Sequence, residues 1–92
     1  MSELRRIILT ARYSRALDAI RAEDARADQY HRGLEWFLER CPTDQPFATR
    51  SPRIKVWPWH IEAKRYAVYM EIDDHQVILH DLRRVSMKDS PY

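Results

Sequence analysis

A chain of 92 residues, 45% hydrophobic and 33% charged, has room for one folded domain and not for two. That balance belongs to a globular protein rather than a disordered one, and the formal charge is only +2. Cys41 is the single cysteine, which excludes an internal disulfide and a cysteine-built zinc site; no metal or cofactor motif is present.

The N-terminal run Met1-Ser2-Glu3-Leu4-Arg5-Arg6 leads into Ile7-Ile8-Leu9, too few apolar residues for a signal-peptide core or a membrane span. The expected location is the cytoplasm, with no membrane partner. The small net charge hides a basic stretch: Arg50, Arg53, Lys55, Lys64 and Arg65 face a single acid, Glu62. Arg83, Arg84 and Lys88 form a second basic group. A solvated face and a surface for phosphates or an acidic protein both fit this pattern.

In chain order, Arg5 to Thr10 is a short β-branched run that predicts a first strand. Thr10 or Ser14 is placed to cap the helix that follows. No proline occurs from there to Cys41 and alanine is frequent, which favours helix. Leu17 and Ile20 mark one apolar stripe; Ala27, Tyr30, Leu34, Phe37, Leu38 and Cys41 mark a longer one. The polar stretch between them predicts two helices in a hairpin, turning near Glu23–Arg26. Trp36 falls off the second stripe, and Gly33 within that helix invites close packing.

Residues 42–52 hold three prolines and read as a loop. Ile54-Lys55-Val56-Trp57 with Trp59 is strand-like, but Pro58 has no amide to donate and demotes it to an edge or bulged strand. Tyr66, Val68, Met70 and Ile72 alternate against Ala67, Tyr69 and Glu71 in a second strand. Asp73-Asp74-His75-Gln76 predicts a turn, and Val77 to Leu82 returns as the partner strand. The tail from Ser86 to Tyr92 reads as partly ordered. The predicted fold is α+β: an N-terminal strand, a helical hairpin, then a three-stranded antiparallel meander in one domain over residues 1–92.

Arg53-Ile54-Lys55-Val56-Trp57-Pro58, Lys64-Arg65-Tyr66-Ala67-Val68-Tyr69 and Ile72-Asp73-Asp74 followed by Val77-Ile78-Leu79, in this element order, resemble the RelE/ParE family of toxins from type II toxin–antitoxin systems. The likeness covers about a third of the chain well and the helical half in pattern. Glu62-Ala63-Lys64 stand where members commonly have a glycine, and Arg83-Arg84 where ParE-like members often carry a histidine.

The resemblance implies a growth-inhibiting toxin with a cognate antitoxin, as a homodimer or a toxin–antitoxin hetero-oligomer. Two chemistries are compatible with it. A ParE-like toxin binds DNA gyrase and needs a protein-binding surface, for which Arg53, Trp57, Trp59, Lys64 and Arg84 are the candidates; the sequence favours this branch. A RelE-like toxin cuts messenger RNA on the ribosome without a metal, and Arg65, Lys55, His60 and Arg83 are then the candidate catalytic groups, with Tyr92 a further one. Arg65 leads that set because a guanidinium fork matches a phosphate; its alternative role is a salt bridge to Glu71 or Asp81. His80 reads as a half-buried, hydrogen-bonded strand residue, and His31 and His75 are assigned no function. A non-toxic binding module on the same fold is the remaining reading.

Overall fold

The computed structural model describes residues 4–86, so Lys88 and Tyr92 lie outside the described residues. β1 (Arg6–Leu9) is followed by the helices α1 (Ala11–Glu23) and α2 (Ala27–Arg40). β2 (Phe47–Ala48), β3 (Lys55–Ile61), β4 (Lys64–Ile72) and β5 (Gln76–Val85) complete a five-stranded sheet in the order β1-β5-β4-β3-β2. β1 runs parallel to β5, and every other pairing is antiparallel. This is the expected α+β layout with one addition, the two-residue strand β2 inside the proline-bearing loop. β3 is therefore covered at Lys55 and Val56 but remains an edge from Trp57 onward, where Pro58 needs no donor.

Thr10 holds both helix and sheet. Its hydroxyl accepts from the Tyr13 amide at 3.2 Å, capping α1, and donates to the His80 carbonyl at 3.1 Å. The hairpin turn is tied down by Asp24, a buried residue whose carboxylate accepts from the Arg26 amide and guanidinium. Those bonds hold its carboxyl down at about 2. Arg26 also pairs with Glu62, and Lys64 lies 3.7 Å from Asp24, so the helical hairpin is clasped to the β3–β4 turn.

That turn is strained. Glu62 has φ 53°, in the left-handed region where a side chain crowds the backbone. Glu62→Gly removes the crowding at the cost of one exposed ion pair, which contributes little. We expect a gain of about 0.5–1 kcal/mol in thermal unfolding; a lower melting temperature would show that the Arg26 pair outweighs the strain.

Both helices cover one face of the sheet. Trp59 and Ile61 of β3, Tyr66, Val68 and Met70 of β4, and Val77, Leu79 and Leu82 of β5 meet Tyr13, Leu17, Ile20, Leu34 and Leu38 there. Burying these side chains contributes roughly 1.5–3 kcal/mol for each large aliphatic one. Among the described residues the opposite face carries no helix. It presents His60, Arg65, Tyr69, Glu71, Ile78, Asp81 and Arg83, while the small side chains Val56 and Ala67 are shielded among them.

Strict alternation fails at one place in β5. Tyr69 pairs with Asp81 but Met70 pairs with Leu79, leaving His80 as an extra residue, a β-bulge. His80 and Asp81 both turn to the helix-free side, where His80 meets Glu71 and Asp81 meets Arg83. Gly33, by contrast, marks no close approach: a Cβ there would meet nothing within 4 Å.

Candidate functional site

The helix-free face divides into two ends. At one end His60 on β3 stands directly opposite Arg65 on β4. Arg65 in turn opposes Val85, which puts Arg83 on the diagonal, about 7–8 Å away by strand geometry. His60, Arg65 and Arg83 are all exposed. Among the described residues Arg65 has no hydrogen-bond or ion-pair partner. The bridge to Glu71 or Asp81 considered from the sequence does not form, because each acid is engaged elsewhere: Glu71 with Arg53 and His80, Asp81 with Arg83.

Arg83 is held in position. Its Nε donates to Asp81 Oδ2 at 2.7 Å, and its guanidinium lies 5.4 Å from the centroid of the Tyr69 ring. The same Asp81 carboxylate accepts from the Leu82 amide through Oδ1 at 2.9 Å, which fixes the acid before it meets the arginine. The arrangement is an oriented cation beside a free one, with an imidazole across from the free one.

At the other end, about 17 Å along the sheet, Lys55 pairs in register with Met70 and so shares the helix-covered face with it. The structure therefore separates Lys55 from the other three catalytic candidates. It gathers Lys55 instead with Arg53, Glu71, Gln76 and Ile78 around a cavity of about 440 Å3 beside the β4–β5 turn. Glu71 accepts from His80 Nε2 at 2.6 Å and lies 3.4 Å from Arg53 Nε. His80 is thus the half-exposed, hydrogen-bonded strand residue expected. Asp73 makes the turn itself, accepting from the His75 and Gln76 amides at 2.7 and 2.9 Å.

The expected rim of tryptophans needs correction. Trp59 is only 6% exposed, donates from Nε1 to the Tyr30 carbonyl and packs on His31 and Tyr66. It is a core residue and offers no surface to a partner. Pro58 suggested an exposed edge, but the alternation Trp57, Trp59, Ile61 continues through it and carries Trp59 inward. Trp57 is half-buried, stacked between Phe37 at 4.8 Å and Phe47 at 5.7 Å. Lys64 is engaged at the Asp24 clasp, and Arg84 lies over the Tyr66 ring at 6.0 Å beside a groove along α1. Arg53, 83% exposed, remains free to move. Trp36, off the apolar stripe as expected, is 59% exposed with Arg40 stacked on it at 4.3 Å.

One polar cluster went unread in the sequence. Tyr13 and His31 are buried in the core, where the tyrosine hydroxyl meets His31 Nε2 at 2.7 Å and Nδ1 meets Glu35 at 3.0 Å. Both residues lie on the helical stripes, at the spacing 13-17-20 and 27-31-34-38, and that periodicity was the available signal.

No family model, curated protein or solved structure matches this chain. Among the described residues no helix is long and apolar enough to cross a membrane, and no group of three or more His, Cys, Asp or Glu side chains is placed to hold a metal.

Proposed function

We propose that the protein is a growth-inhibiting toxin of the RelE/ParE type, acting on single-stranded RNA through the helix-free face of its sheet. The observation that carries this reading is the unpaired, exposed Arg65 with His60 opposite it and Arg83 on its diagonal. Attack of a ribose 2′-hydroxyl on the neighbouring phosphorus forms a cyclic phosphate and releases a 5′-hydroxyl. The step needs a group to take the 2′ proton, a group to return one to the departing oxygen, and cations for the charge growing on the phosphate. His60 would handle a proton, and the guanidinium forks of Arg65 and Arg83 would hold the phosphate oxygens. Cavity-side Arg53 extends the cationic track for the rest of the strand.

Gyrase binding, favoured on sequence, is the second reading. It loses Trp59 to the core but keeps the Phe37–Trp57–Phe47 stack at the sheet edge, with Phe47 48% exposed. Aromatic anchors of this kind suit a protein interface. On either reading a cognate antitoxin would act by covering basic and apolar surface.

Inducible expression in bacteria separates the possibilities. We expect growth arrest with new cuts in cellular messages by primer extension, and no induction of the DNA-damage response. A DNA-damage response without message cleavage would establish the gyrase branch instead. Normal growth at high soluble expression would leave only a non-toxic binding module.

A further inference from the structure

The cavity beside the β4–β5 turn has a chemistry different from that of the Arg65 end. Its floor is the apolar Ile78, directly opposite Glu71 in the register, and its charged groups are Arg53, Lys55, Glu71 and Asp73, the last of them engaged with the turn amides. A carboxylate there accepts hydrogen bonds and donates none. Glu71 uses one of its four or so lone-pair sites, on Oε2, for His80 at 2.6 Å, and its Oε1 makes only a long ion pair, 3.4 Å, with Arg53. The Arg53 side chain is 83% exposed, so it can turn to a phosphate while Glu71 stays in place. His80, pinned to the far carboxylate oxygen and held through its carbonyl by Thr10, fixes the direction in which Glu71 points.

We propose that this cavity receives a guanine base of a single-stranded RNA and that Glu71 reads it. The inference rests on the RNA reading above and adds a base preference to it. Among the four bases, guanine alone offers two neighbouring N–H groups, N1–H and the N2 amino group, side by side on its Watson–Crick edge. Single-stranded RNA exposes that edge, and a carboxylate matches the pair bidentately. Ile78 provides the apolar surface under the ring, and Arg53 holds the flanking phosphate. From Glu71 to Arg65 the strand covers about 20 Å, so the reading site lies several nucleotides from the His60–Arg65 end. Tyr69 lies between them as a stacking surface.

The test uses fluorescein-labelled 2′-O-methyl hexamers, which resist cleavage: an all-adenosine sequence and its variants with one internal G, C or U. Fluorescence anisotropy on the full chain should give about tenfold tighter binding of the G-containing hexamer. E71Q, which places an amide where the second acceptor stood, should bind all four alike at the adenosine level. R65A should weaken all four by a similar factor. Equal affinity of the wild-type chain for the four hexamers, or an undiminished G preference in E71Q, overturns the guanine site while leaving RNA binding intact. The wild-type comparison needs no variant, so misfolding of E71Q does not protect the proposal. Failure of every hexamer to bind removes the RNA reading and this inference with it.

Discussion

His31→Ala is expected to lower stability by about 3–4 kcal/mol, read as a fall of roughly 12–30 °C in melting temperature. The substitution removes a ring packed on Trp59 at 5.4 Å and strands the Tyr13 hydroxyl in the core without its partner. Tyr13→Phe tests the polar part alone. It should cost about 1–2 kcal/mol, because the ring stays and only the donor to His31 Nε2 is lost. An alanine variant that melts like the wild-type chain would show the cluster to be incidental to the fold.

The same histidine sets an acid limit. A carboxylate can only accept, so Nδ1 carries the hydrogen towards Glu35 and Nε2 accepts from Tyr13. The ring is therefore held neutral, and burial pushes its proton affinity below the ordinary histidine value, against the attraction of Glu35. The unfolded chain takes up a proton near pH 6.5 while the native one still resists it. The stability His31 contributes is thus complete above that pH and is lost as pH falls through the native value. Denaturant midpoints at pH 7.5 and 5.5 should diverge for the wild-type chain and converge for a His31→Leu variant.

Arg65→Ala is expected to slow message cleavage by about 10²–10³-fold and to relieve growth arrest. Its stability should change by no more than about 0.5 kcal/mol, since the side chain is exposed and pairs with nothing among the described residues. Arg65→Lys keeps the charge but not the planar fork, so it should recover part of the rate and not all of it. Undiminished arrest with Arg65→Ala would remove this arginine from the mechanism.

Much of this frame was legible from residue pattern. The alternation Tyr66, Val68, Met70 against Ala67, Tyr69, Glu71 gave β4 its two faces, and the helical stripes gave the hairpin that covers one of them. Which face was covered was not legible, because both hold apolar residues; the burial of Tyr66 and Met70 decides it and puts Arg65 outside. β2 was missed because two residues establish no period. Trp59 was misplaced because Pro58 was read as breaking a face that in fact continues through it. Tyr13 and His31 were passed over because their polar atoms drew attention away from their spacing. Lys55 was grouped with Arg65 by charge, whereas register pairs it with Met70 and so sets it on the opposite, helix-covered face, at the far end of the sheet.

The additional residue at His80 has a consequence for how this chain can change. Counting outward from Leu79 in steps of two would send Leu82 to solvent and drive Arg83 among the helices. The extra residue reverses that parity, so Leu82 is buried and Arg83 faces out from adjacent positions of one strand. Core and candidate site are thus read in a single frame, set upstream of both. Substitutions along β5 can be absorbed one at a time, but a one-residue deletion before Leu82 would exchange hydrocarbon and charge along the rest of the strand. The number of residues between Leu79 and Arg83 is as much a part of the site as the arginine itself.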